Sequence, residues 1–166
     1  QKANTPNAIL FEVYPDQKEE IIGLMNSMKL PVLQDVSIVN MKLAAIKGVA
    51  VSELRRNGGE AREKGKGRGR RRTSGWVTSR QYRSTYRDHL EDSEELVAGE
   101  FHGPFTGGID DVIPVSVEKD IAEDMGVTLG DELEWDVQGM PIKTRVTSLR
   151  KVDWRRVQPN FFVVFP

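Results

Sequence analysis

The sequence contains no cysteine. Disulfides and thiolate metal sites are therefore excluded, although periplasm and cytosol are not told apart. Long apolar runs are missing too. The longest stretch without Asp, Glu, Lys or Arg is ten residues, Val157 to Pro166, against about 20 for a membrane helix. Neither a membrane span nor a signal peptide is expected; a segment lying between two transmembrane helices would look the same. Catalytic signatures are equally scarce. There is no G-x-S-x-G, no P-loop, and no G-x-G-x-x-G opening a helix after a strand. Gly65, Gly67 and Gly69 alternate without the flanking strand and helix of a phosphate cradle. The two histidines, His89 and His102, are thirteen residues apart without metal-ligand spacing, and read as surface or loop residues. The acidic pairs Glu94-Glu95 and Asp110-Asp111 lie in polar surroundings, with no sign of the raised pKa a glycosidase pair needs. The sequence thus offers no catalytic, cofactor-binding or metal-ligating residue, leaves the substrate-binding residues unknown, and points away from an enzyme.

What is present is a charged chain of 166 residues, 30 % Asp, Glu, Lys and Arg, with a mean hydropathy of −0.47. The length fits one domain, with room for two lobes, burying roughly 70 % of its unfolded surface. The net charge of −1 hides an asymmetry. Between Arg55 and Arg72 stand nine basic and two acidic residues, which leaves 15 basic and 23 acidic elsewhere, a balance of −8. The tract Arg55 to Gly75 holds six Gly and one aliphatic side chain, Ala61. It cannot bury enough apolar area to offset its ordering entropy and reads as a flexible basic loop. Its Arg-Gly run resembles RNA-binding tracts. No stacking aromatic lies between Arg55 and Thr73, however, and the acidic remainder opposes nucleic acid. A solvated loop is the favoured reading; contact with anionic headgroups is a third, if a membrane is near.

Along the chain, Asn7 to Val13 reads as a strand. A helix follows Pro15-Asp16, with Asp16 as cap and Ile21, Ile22, Met25 and Met28 on one face. Leu30-Pro31 stops it. Val36 to Ile46 is a second strand, and Val49 to Leu54 a short extended run. Trp76 to Tyr86 alternates as a half-wet strand. Glu100 to Asp111 is a loop. Pro114 to Val117 is a strand that feeds a helix opened by Ser116 or Glu118 and closed by Gly126. Gly130-Asp131 makes a tight turn. Leu133 to Val137 and Ile142 to Leu149 pair about Gln138-Gly139, and Phe161 to Phe165 is a last strand. Trp135, Trp154, Phe161 and Phe162 read as core or inter-lobe packing. No internal repeat is visible.

Three strings go beyond generic pattern: QKANTPNAILFEVYP (Gln1 to Pro15), SRQYRSTYRD (Ser79 to Asp88) and TSLRKVDWRRVQPNFFVVFP (Thr147 to Pro166). They resemble the extracytoplasmic domain of YbbP-type ABC-transporter permeases, within the larger FtsX/LolC/MacB-like permease family. The basic tract departs from that pattern. The resemblance implies an α+β fold: a β-α-β porter-like half-lobe over residues 1–48, and over residues 49–166 an inserted β-rich lobe with one or two short helices and the flexible basic loop at 55–75. It implies a domain facing the periplasm that binds or relays a substrate or partner protein. A separate cytoplasmic ATPase would drive it by mechanotransmission. A homo-oligomer fits, and no nucleic-acid partner or cofactor is expected. The alternative is a small β-barrel that binds nucleic acid through the basic loop. The apolar strand at the end also predicts a fold cut short, prone to self-association or low stability.

Overall fold

The computed structural model describes residues 8–56, 75–108, 110–156 and 158–166. Two compact units are separable: residues 1–36 with 155–159, and residues 37–154 with 160–166.

The larger unit is a β-barrel with short helices. Its strands are β1 (Val39–Ile46), β2 (Val49–Ala50), β3 (Gln81–Tyr86), β4 (Glu94–Gly99), β5 (Ile113–Glu118), β6 (Glu132–Val137), β7 (Met140–Val152) and β8 (Val163–Phe165). β6 pairs with both β1 and β7, which closes six strands in the order β1-β3-β8-β5-β7-β6. β2 and β4 attach outside this ring, on β1 and β7. The β3–β8 and β5–β7 pairs are parallel and the other four antiparallel. Exchanging β1, β3 and β5 with β6, β7 and β8 leaves every pairing and its sense unchanged. The barrel therefore has an internal two-fold topology that the sequence does not display. Closure also removes six strands' worth of edge, the usual route to unwanted pairing.

Alternation fills the interior. Met41, Leu43, Tyr82, Val115, Val117, Leu133, Trp135, Val146 and Val163 form one buried cluster. Trp135 donates its indole N–H to Thr144 Oγ1 at 2.9 Å, and Thr144 passes a bond to the Leu133 carbonyl at 3.1 Å. Tyr82 donates to the Val77 carbonyl at 2.8 Å. Both aromatic polar handles thus find a partner, as their desolvation requires. Helix α4 (Lys119–Met125) buries Ile121, Ala122 and Met125. Glu118 caps it through Ile121 N, and Gly126 ends it at φ 70°, the left-handed stop expected from the sequence. Helix α2 (residues 51–56) and helix α3 (Gly75–Ser79) flank the undescribed residues 57–74. Arg55 on α2 donates to the Thr78 carbonyl on α3, tying the two together.

The smaller unit contains helix α1 (Lys18–Ser27), none of whose residues is buried. Ile9, Leu10, Phe11, Leu24, Met28, Leu30, Val32 and Leu33 are all exposed.

Several expectations need correction. Residues 8–13 form no strand; among the described residues no partner strand pairs with this apolar run. Asp16 does not cap α1: Gln17 holds the N-cap position without a side-chain bond. β1, expected to close the first β-α-β, pairs with the barrel strands β3 and β6 and with the outlying β2. The extended run Val49 to Leu54 is a two-residue strand followed by α2, because Val51 and Leu54 reach the core from a helical spacing. Trp76 to Tyr86 is not one strand; α3 occupies its first part, where Thr78 Oγ1 bonds back to the Gly75 carbonyl at 2.9 Å. β4 was not foreseen, since its residues are mostly exposed. Of the flexible loop at 55–75, residues 57–74 lie outside the described residues, while Arg55, Arg56 and Gly75 are helical.

Candidate functional site

The two most specific strings meet at one buried polar cluster. Arg87 belongs to SRQYRSTYRD, whose strand β3 ends beside it; Ser148 and Arg150 belong to TSLRKVDW on β7; Asn160 and Phe161 follow in PNFF. Arg150 is fully buried. Its Nη1 donates to Glu94 Oε1 at 2.8 Å and its Nη2 to the Phe161 carbonyl at 2.6 Å. Glu94, on β4, also accepts from Arg87 Nη2 at 2.5 Å and from Glu91 N at 3.1 Å. Arg87 Nε donates to the His89 carbonyl at 2.9 Å. Ser93 Oγ donates to Asn160 Oδ1 at 2.9 Å. One carboxylate thus serves two guanidinium groups, and the cluster ties β4 and the Asn160–Phe161 segment to the barrel.

Burial dominates the electrostatics here. It pulls the Arg150 guanidinium down to about 10, opposed by Glu94, so Arg150 stays charged at neutral pH. Burial likewise raises Glu118, against the Ile121 and Asp120 N–H groups that favour its ionised form. Glu118 and Arg150 are register partners across β5 and β7, as are Ser116 and Ser148. Ser116 Oγ, Ser148 Oγ and Arg150 Nε have no hydrogen-bond partner among the described residues. With Glu94 and Arg150 sealed from solvent, the cluster does not present a reactive group to a substrate. Its chemistry is that of an internal clamp.

The sequence-singled residues separate accordingly. His89 is exposed, as expected, beside Asp88. His102 is not: it is buried, with Nε2 3.0 Å from the Arg87 carbonyl. The pair Glu94-Glu95 splits, because strand alternation turns Glu94 inward to the arginines and leaves Glu95 exposed. Asp111 closes a local turn on Gly108 N at 2.7 Å. Gly130, at φ 86°, and Asp131, accepting from Thr128 N at 2.8 Å, form the tight turn anticipated. Among the described residues no group of three or more His, Cys, Asp or Glu could hold a metal ion. Gly65, Gly67 and Gly69 lie outside the described residues. The residues missed by sequence reasoning are Arg87, Glu94 and Arg150. A signal existed: Arg150 falls in phase with the inward Ser148 and Val152, and a charge at a buried position must be paired.

A second feature is aromatic. Trp135 and Phe161 are buried as expected, but Trp154 is 46 % exposed, like Trp76 at 44 %. The Trp154 ring lies 4.7 Å from Phe162. Arg80 sits among Trp76, Tyr82 and Phe162, its guanidinium carbon 5.1, 5.2 and 4.5 Å from their ring centres.

No protein-family model matches the chain, and no solved structure matches it. Among the described residues no helix is long and apolar enough to cross a membrane. The chain is similar to the uncharacterized ABC transporter permease YbbP of Escherichia coli (strain K12), at 32 % identity over 88 residues. The match covers 53 % of this chain and 10 % of the relative, so the chain spans only a small part of the protein it resembles. This likeness supports the ABC-transporter permease family over about half of the chain.

Proposed function

We propose that this chain is an extracytoplasmic domain of an ABC-transporter permease, facing the periplasm and without catalysis of its own. It binds or relays a substrate or a partner protein there. A separate cytoplasmic ATPase supplies the energy, and transmembrane helices pass the movement on by mechanotransmission. The barrel is the inserted β-rich lobe, and α1 with its flanking segments is part of a porter-like lobe. The observation that carries this reading is the 32 % identity over 88 residues to an ABC-transporter permease. Two further observations support it. Two of the three strings that resemble the permease family supply the arginines of the Arg87–Glu94–Arg150 clamp, so these residue types are ones this barrel needs. The exposed apolar residues of the smaller unit, Leu10, Phe11, Leu24 and Leu33 among them, suit a lobe covered by further chain.

Because these 166 residues contain no cysteine, a Met140→Cys substitution in the exposed β6–β7 hairpin adds a thiol to this domain whose labelling is read as the difference from the unsubstituted full-length protein. In intact cells whose outer membrane has been made permeable, a membrane-impermeant maleimide should label it within the full reading frame. Labelling only after the inner membrane is broken would place the domain in the cytoplasm and overturn the proposal. Co-purification of an ABC ATPase with the full-length protein is the second expected result.

A further inference from the structure

Around the start of β3 a guanidinium is held among aromatic rings, with no ion pair among the described residues. Arg80 lies over Trp76, Tyr82 and Phe162, and Trp154 extends the platform from Phe162. The rings grade from interior to surface: Tyr82 is buried, Phe162 and Arg80 are half-buried, and Trp76 and Trp154 are exposed. Among the described residues Arg80 makes no hydrogen bond and no ion pair. A single exposed Trp is ordinary surface. One stacked on a half-buried, unpaired guanidinium, with a second exposed Trp packed on the Phe162 ring that the same guanidinium covers, is not. Stacking occupies the faces of a guanidinium and leaves its N–H fork at the edge, where it matches a carboxylate in bidentate fashion.

We infer that this face docks a peptide segment of a partner protein that carries one carboxylate beside an aromatic or aliphatic side chain. The carboxylate meets the Arg80 fork, and the apolar neighbour lies on Trp76 and Trp154. Charge selects this occupant. The face offers the one guanidinium of Arg80, with Arg55 anchored to Thr78 on the helix that carries Trp76. The fork of one stacked guanidinium matches one carboxylate, and the net +7 of Arg55–Arg72, which adjoins α3 in sequence, favours an acidic partner segment. Aromatic and arginine side chains are also the usual anchors of protein–protein contacts. The inference stands apart from the transporter reading: it holds or fails on the purified protein alone.

The test uses the three tryptophan indoles. Trp135 is buried and its N–H is bonded to Thr144, so its NMR signal is an internal control for Trp76 and Trp154. The protein is titrated with acetyl-Gly-Phe-Glu-Phe-Gly-amide and with the same peptide carrying Gln for Glu. The Trp76 and Trp154 signals should shift saturably with the Glu peptide, at a Kd of about 0.1–1 mM, while Trp135 stays in place. The Gln peptide should bind about tenfold or more weakly. Arg80→Gln and Trp154→Ala should each weaken the Glu peptide by at least about tenfold, with an unmoved Trp135 signal reporting an intact barrel. Should Arg80→Gln disturb Trp135, Trp154→Ala carries the test, since that ring is exposed. No saturable shift, equal binding of the two peptides, or undiminished binding by an intact variant overturns the inference. So does a saturable response to a thymidine oligonucleotide or to phosphatidylglycerol vesicles with none to the peptide, which would give the face to another class of partner.

Discussion

Arg150 on β7 and Glu94 on β4 meet at 2.8 Å with both side chains closed off from water. Glu94 also holds Arg87, so neutralising this one carboxylate strands two guanidinium groups. Removing one partner of a buried pair costs about 3–5 kcal/mol, far more than a surface pair contributes. Glu94→Gln is expected to lose stability in that range in urea titrations. A loss below about 1 kcal/mol would mean that water reaches the cluster.

Two groups near the clamp give opposite pH dependences. Burial holds the His102 imidazole below its usual value of 6.5; the Arg87 and Phe165 carbonyls oppose this, and the Arg150 and Arg87 charges add to it. Below 6.5 the unfolded chain takes up the proton first, so stability falls as pH drops through the folded value. His102→Gln should flatten that slope in thermal midpoints recorded from about pH 4 to pH 8.

Glu118 runs the other way. Burial raises it from 4.5, so its contribution is complete below that value and is lost as pH rises through the folded one. Glu118→Gln should remove this loss while still accepting from Ile121 N. An unchanged pH profile would show that Glu118 is solvated.

Gly99 ends β4 at φ 76°, and a Cβ there would run into the Thr147 carbonyl and lie 2.9 Å from Leu129 Cδ2 and 3.1 Å from Ser148 Cα. Backbone cannot yield as a side-chain tip can. Gly99→Ala should cost at least about 1–2 kcal/mol from the left-handed conformation alone, and more from the collision. Denaturant midpoints of Gly99→Ala against Gly48→Ala separate the two causes, because Gly48 has a similar φ of 75° but open space around it.

The β6–β7 turn places Gln138 at φ 54° and Gly139 at φ 90°, a geometry in which Asn-Gly is the preferred pair. Gln138→Asn should raise stability by up to about 0.5 kcal/mol, and Gly139→Ala should lower it by about 1–2 kcal/mol. If Gln138→Asn lowers the thermal midpoint, the Gln138 side chain has a contact that the turn geometry does not reveal.

Local chemistry made much of the barrel's framework legible in the residues alone. The Glu118-capped helix stopped by Gly126, the Gly130-Asp131 turn and the hairpin about Gln138-Gly139 each depend on a few neighbouring residues, and each was anticipated. The strand Ile142 to Leu149 within β7 was legible too, although the inward polar residues of β7, Thr144, Ser148 and Arg150, were not. What the tertiary structure decided was partnership. Nothing near Val39–Ile46 in sequence says that it pairs with β6 and not with a strand before α1. Nor does local sequence place β8 parallel to β3, or show the two-fold topology of the ring. The same holds for the site. Glu94, Arg87 and Arg150 lie on separate segments, and an isolated Glu-Glu pair looks solvated until a distant strand brings two guanidinium groups to it. Trp154 shows the reverse case: an aromatic reads as core on hydrophobicity alone, and only the tertiary structure shows it half exposed, packed on Phe162. Periodicity and turn chemistry act over a few residues and are written in the sequence; burial and ion pairing are set by which segments meet, and that was settled by closure of the barrel.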